Sequence, residues 1–178
     1  GQIVEGLARA YQETGNSSYL TAAERGANWL VSVQAADGTW PSDYGGFAHA
    51  YHARIARGLL KLWQVDGNNA YMTAATKNLT WVLTQQQANG WFNNNGINNT
   101  GENSAPLTHT IAYATRGILE SGALLGEERY IAGARAAGKV SATPHPAHAH
   151  DADGAGNGRD RVRRAGRALL SSVPLSRG

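Results

Sequence analysis

Cysteine is absent from these 178 residues, so they carry no disulfide, no thiolate metal ligand and no cysteine nucleophile. Also missing is any apolar run long enough to span a bilayer, and the opening GQIVEGLARAYQ lacks the basic-then-apolar pattern of a signal peptide. No membrane partner is expected, and the cytoplasm is the default location. An excess of charge is missing where it would matter. Residues 1–140 hold ten Lys+Arg and ten Asp+Glu, so the formal net charge of +3 comes wholly from the six Arg and three Asp of residues 141–178. A neutral body gives no electrostatic reason to expect nucleic acid.

What is present is a repeat. The string WLVSVQAADGTW, Trp29 to Trp40, returns as WVLTQQQANGWF, Trp81 to Phe92, 52 residues later. Without opening a gap, Gly6 falls on Gly58, Leu7 on Leu59, Gly15 on Gly67, Asn16 on Asn68 and Tyr19 on Tyr71. A third copy follows 59 residues on, from Gly58 to Gly117 and Tyr71 to Tyr130. A period in this range belongs to repeat architectures, each unit needing neighbours to bury its faces.

Within each unit the apolar spacing is helical. Ile3, Val4, Leu7, Ala10 and Tyr11 mark helix one, stopped by Gly15-Asn16; Ser17 or Ser18 caps helix two, with Tyr19, Leu20, Ala23, Ala27, Leu30 and Val31 on its apolar face. Helix three is predicted from about His49 to Gln64, helix four from Ala70 to Gln87, helix five from Leu107 to Leu125, and helix six from Tyr130. Breaks of about three residues between paired helices predict antiparallel hairpins. Hairpin repeats are therefore expected at about 1–46, 47–105 and 106–140, with long loops at 36–48 and 88–106 rich in turn formers. Trp29, Trp63 and Trp81 are assigned to the core.

After Val140 the pattern stops in mid-helix. Residues 141–178 are a low-complexity segment without an aromatic residue. It reads as a flexible tail, a linker or a frame-shifted end, and we favour the last because the break interrupts a repeat that needs a neighbour. His145, His148, His150, Asp151 and Asp153 form no rigid ligand set in a Pro-interrupted stretch, so no metal site is assigned and no cofactor is expected.

Gln34-Ala-Ala-Asp-Gly38-Thr-Trp40 and Gln86-Gln-Ala-Asn-Gly90-Trp-Phe92 share the form Gln, three residues, Gly, one residue, aromatic. This resembles the QW motif of terpenoid (squalene-type) cyclases. The hairpin repeat as a whole is similar to α/α-toroid carbohydrate-processing proteins, the six-hairpin glycosidases and related lyases. The resemblance implies an all-α fold, an incomplete α/α toroid with three of an expected six hairpins. Locally, the Gln is expected to satisfy the last carbonyls of its helix, the Gly to reverse the chain and the ring to pack back over the helix end. Cyclase chemistry would need an aspartate cluster, whereas residues 1–140 hold only the isolated Asp37, Asp43 and Asp66.

In such a toroid the long loops and the starts of the inner helices gather at one mouth. His52, His109, Tyr113 and Asp43 are the candidate catalytic residues there, and Trp40, Tyr44, His49, Arg54, Trp91, Asn93 and Asn94 the candidate substrate contacts. Rings beside amide, imidazole and guanidinium donors suit a sugar, so the partner expected is a small-molecule or polysaccharide substrate and the chemistry hydrolase or lyase. Arg54 is open to a ligand carboxylate or to Asp43 or Asp37; Glu102 is the other loop carboxylate. A terpenoid cyclase-like protein and a non-catalytic helical-repeat binding module are the alternatives. Because half a toroid leaves its cavity open, the chain alone is expected to be inactive.

Overall fold

Two glycine-asparagine pairs explain why the first two hairpins turn where they do. Helix α1 (Gln2–Thr14) ends at Gly15 with φ 67°, a left-handed conformation natural to glycine, and the next residue, Asn16, caps α2 (Ser17–Ser32) by accepting from the Ser18 N–H. The same pair, Gly67 with φ 72° and Asn68 accepting from the Ala70 N–H, joins α3 (Ala53–Asp66) to α4 (Asn69–Thr84). The third turn, between α5 (Thr108–Leu125) and α6 (Glu128–Ser141), keeps the left-handed glycine at Gly126, φ 68°. The computed structural model describes residues 1–40, 47–96 and 108–141, which with their side chains up to residue 139 form one compact all-helical unit. Among the described residues there is no strand, and no helix is long and apolar enough to cross a membrane.

Three hairpins thus stand side by side as an incomplete α/α toroid. The first helices of each pair, α1, α3 and α5, pack closely in sequence, while α2, α4 and α6 touch one another sparsely. The first set is the inner wall and the second the outer. Close approach on the inner wall is set by glycine. A Cβ on Gly58 would lie 2.5 Å from the Gly1 carbonyl oxygen, and one on Gly117 would lie 2.7 Å from the Ala53 carbonyl carbon. Gly1 and Ala53 occupy the same place in successive repeats, so one contact is made twice. The core between the walls is filled by Leu59, Leu60, Leu62, Leu79, Val82, Ile118, Tyr71 and Tyr130.

The Gln-to-aromatic motif is a clasp between hairpins. Gln34 Nε2 donates to Gly38 O in its own loop at 3.0 Å and to Ala74 O on α4 at 2.9 Å. Gln86 Nε2 repeats this, to Gly90 O at 3.1 Å and Gly133 O on α6 at 2.8 Å. Neither bond goes to the last carbonyls of the glutamine's own helix, as the sequence suggested; one closes its own loop, and the other uses the second lone pair of a mid-helix carbonyl on the next outer helix. Gln86→Ala removes both bonds and is expected to cost about 1–2 kcal/mol in urea unfolding, against no more than about 0.5 kcal/mol for an exposed polar position such as Gln12→Ala.

Helix three starts later than expected. His49 is extended, residues Ala50–His52 form a 3-10 turn, and the α-helix begins at Ala53, because the Ala50 N–H is drawn outward to the Asn94 carbonyl at 2.9 Å. Helix four ends at Thr84 instead of Gln87, since Gln86 pairs with Phe92 in an antiparallel bridge. Helix six gains one turn's start, beginning at Glu128 instead of Tyr130. Of the tryptophans assigned to the core, Trp63 and Trp81 do pack against it, and Trp29 does not. Trp29 is 52% exposed on the outward face of α2, and Trp63 and Trp81 are half-buried. The ring that fills the core is Trp40, 1% exposed, with its Nε1–H donating to Leu30 O at 2.9 Å.

Candidate functional site at the starts of the inner helices

The Ala50–Asn94 bond brings the end of the second clasp to the start of α3. Asn94 has φ 52°, a left-handed conformation that asparagine tolerates, and its side chain donates to Gln85 Oε1 at 2.8 Å. Asn93 is pinned in the same way, its N–H donating to Gln85 O at 2.8 Å and its Oδ1 accepting from Gln87 Nε2 at 2.6 Å. Both asparagines are therefore held beside the inner helix starts. Asn94 is exposed and Asn93 half-buried, while Trp91 is half-buried next to them.

Five aromatic and imidazole rings follow at the 3-10 turn and on α5. His49 stacks on Tyr51 with centroids 4.7 Å apart, and His52 stands edge-on to both, 5.3 Å from His49 and 5.0 Å from Tyr51. On α5 the His109 and Tyr113 rings meet at 67°, 5.6 Å apart, and the Arg54 guanidinium lies 3.9 Å over the Tyr113 ring. Arg54 thus chooses an aromatic face, and Asp37 is engaged elsewhere, its Oδ1 accepting from the Thr39 N–H and hydroxyl.

Burial separates the histidines. His49 and His52 are buried, whereas His109 is exposed. Burial, with smaller contributions from His49, the Gly1 amino group and Arg54, pushes the His52 imidazole down to about 4, and burial also lowers His49, offset by its hydrogen bond to the Gly96 backbone. His52 is neutral at pH 7, and its Nδ1 has no hydrogen-bond partner among the described residues. A consequence can be measured. With the folded imidazole near 4 and a free one near 6.5, the unfolded chain takes up the proton first as pH falls. The stability from neutral His52 is fully present above pH 6.5 and is lost on the way down to pH 4, by about 3 kcal/mol at most. His52→Gln is expected to flatten the urea midpoint across that window relative to wild type, and parallel pH profiles for the two proteins would refute the assignment.

Of the residues singled out from sequence, His49, His52, Arg54, His109, Tyr113, Asn93, Asn94 and Trp91 gather at the starts of α3 and α5 or at the end of the clasp beside them. Trp40 does not present a ring to a ligand, being sealed in the core. Asp43, Tyr44 and Glu102 lie outside the described residues, as does the histidine-bearing segment beyond residue 141.

One cluster escaped the sequence reading. Arg57 on α3, buried, pairs with Glu5 of α1 at 2.5 Å and with Glu120 of α5 at 3.3 Å, and Glu120 also receives Arg116 at 2.5 Å. Glu5, Arg57 and Arg116 occupy one repeat position, so the repeat register holds the signal. Although burial alone would raise Glu120, the Arg116 hydrogen bond and the nearby Arg57, Arg116 and Lys61 charges hold it below the usual carboxylate range. A carboxylate so held is a poor proton donor, and the cluster ties the inner wall together instead of acting as a general acid.

Comparison with known proteins fits this architecture. Searching curated proteins finds no match. The family model described as beta-L-arabinofuranosidase, GH127 catalytic domain, matches residues 1–139, a span that covers all three hairpins. The cyclase-like alternative therefore gives way to a glycoside hydrolase family whose fold is the six-hairpin α/α toroid. This chain belongs to the GH127 beta-L-arabinofuranosidase family.

Proposed function

We propose that the mouth formed by His49–Arg54, Asn94 and His109–Tyr113 is the sugar-binding part of a glycoside hydrolase site, taking a pentofuranoside of the kind the family description names. The observation that carries this reading is the Arg54–Tyr113–His109 stack, an apolar ring flanked by directional donors at the inner helix starts. A furanoside has the matching surface, with C–H groups for the ring and hydroxyls for the guanidinium, imidazole and amide. His109, exposed, is the imidazole placed to exchange a proton with a ligand; His52, buried and neutral, supports the turn that positions Arg54. A glycosidase also uses a pair of carboxyl groups, and Asp43 remains the loop candidate for one of them.

Binding tests this more directly than turnover, since three hairpins leave the cavity open. Titrating methyl β-L-arabinofuranoside into the full chain is expected to give saturable changes in the His109 and Tyr113 NMR signals. Tyr113→Ala and Arg54→Ala should weaken the affinity about tenfold or more, ~1.4 kcal/mol, while the outward Arg9→Ala leaves it unchanged. Non-saturable shifts, or equal behaviour of all three variants, would sink the proposal.

A further inference from the structure

The outward face of α4 departs from the pattern of the other outer helices. It lines a groove of about 570 Å³, to which Asp37 of the first clasp also contributes. Thr73, Thr76, Thr80 and Thr84 all line this groove, roughly one to each turn of the helix. Where α4 has Thr76, the repeat register gives Glu24 on α2 and Arg135 on α6; where it has Thr80, it gives Asn28 and Lys139. Long charged side chains are good helix formers at solvated positions, and β-branched threonine is a poorer one. Helix stability therefore does not account for this choice. Neither does packing in the array, because α4 is the middle outer helix, between α2 and α6, and its outward face is not one that a neighbouring hairpin covers.

We propose that this groove is a second carbohydrate site, separate from the mouth, taking an extended segment of a neutral pentose polymer. Trp81 and Met72 line it and both pack against the core, which fixes an apolar surface for the C–H face of a sugar. The Thr80 and Thr84 hydroxyls are already engaged, with the Tyr130 hydroxyl at 3.4 Å and the Trp81 carbonyl at 2.6 Å. Those of Thr73 and Thr76 bond to none of the described residues, so they are open to sugar hydroxyls. One helical turn rises ~5.4 Å, close to the length of a sugar residue, and successive turns can meet successive rings. Among the described residues that line the groove only Asp37 and Lys77 are charged, one of each sign, which suits a neutral chain better than a uronate. A protein partner would call for more large apolar side chains than Trp81 and Met72 supply. At one end Thr84 precedes Gln85, which holds Asn93 and Asn94 beside the inner helix starts. A polymer held here is thereby concentrated at the rim of the mouth; that gain rests on the sugar-binding reading given above, whereas the groove site does not.

The test follows the Trp81 indole N–H signal by NMR while a linear 1,5-linked arabino-oligosaccharide is titrated into the full chain. Trp81→Ala would disturb the core, so the threonines are changed instead. Thr76→Glu with Thr80→Lys puts charge where α2 and α6 carry it, as an i,i+4 pair that favours the helix. The wild type is expected to give a saturable shift, and the double variant to bind at least tenfold more weakly with an undiminished urea midpoint. In Tyr113→Ala, which alters the mouth alone, the shift and its affinity should persist, so a failure at the mouth and a failure at the groove read differently. Absence of a saturable shift, equal affinity in the double variant, or weakening only alongside a lower urea midpoint would overturn the proposal. Loss of the shift in Tyr113→Ala would do the same by assigning the ligand to the mouth, and equal affinity for an oligogalacturonate would refute the neutral-polymer assignment.

Discussion

Gly90→Ala is expected to destabilise the protein by about 3–5 kcal/mol, a large share of the total stability of a domain this size. Two costs add. Gly90 has φ 94°, where an L side chain is strained, at roughly 1–3 kcal/mol. Its Cβ would also be pressed against the Ala136 carbonyl oxygen and the Ala137 nitrogen, backbone atoms that cannot swing away as a side chain can, which adds about 1–3 kcal/mol of overpacking. Gly38→Ala should behave alike, with φ 90° and a Cβ 2.5 Å from the Lys77 carbonyl carbon. Gly15→Ala is the control. Its φ of 67° carries similar strain but its Cβ would point into open space, so about 1 kcal/mol is expected. Urea midpoints of the three variants decide the matter: if Gly15→Ala and Gly90→Ala lose equal stability, close approach of the clasp to the next helix is not what the glycine serves.

Arg57→Met should cost about 3–5 kcal/mol at pH 7. The side chain is buried between two carboxylates from different hairpins, so its removal leaves Glu5 and Glu120 facing each other without their shared counter-charge. The pH dependence carries the signature. In wild type the carboxyl of Glu120 is held low, so its contribution is present above the free carboxylate range and is lost as pH falls through the folded value. In Arg57→Met, protonation relieves the uncompensated charge, so the gap to wild type should narrow on acidification toward pH 4. Adding Glu5→Gln and Glu120→Gln to Arg57→Met should recover much of the loss at pH 7. A gap independent of pH, with no recovery in the triple variant, would show that lost packing and not charge governs the effect.

Much of the architecture was legible in the chain. Gly15-Asn16 and Gly67-Asn68 announce their turns because a left-handed stop followed by an amide cap is a local matter, decided within a few residues. What could not be read is what lies opposite. Gln34 finds its second acceptor 40 residues away at Ala74, a pairing fixed by how two outer helices lean together. Trp29 and Trp40 are both tryptophans beside a helix end, yet only the packing decides that Trp40 turns inward and Trp29 faces solvent. At the candidate site the residue types were visible, but the difference between His52 and His109 was not, since it arises from the 3-10 turn folding under α5. The Glu5–Arg57–Glu120 cluster is not visible in the chain, because charge spacing within each helix says nothing of neighbours on the next.

The clasp has one further effect. The bridge from Gln86 to Phe92 closes the chain before residues 97–107 begin, so the helices are already locked in register when the loop leaves them. The offset grows from 52 to 59 residues between the second and third hairpins, yet the glutamine bonds to Ala74 and Gly133 and the close approaches at Gly58 and Gly117 keep the same repeat register. Loop length is mechanically insulated from the frame. Insertions and deletions between the second and third hairpins can therefore accumulate without re-optimising the clasps that hold the frame on either side.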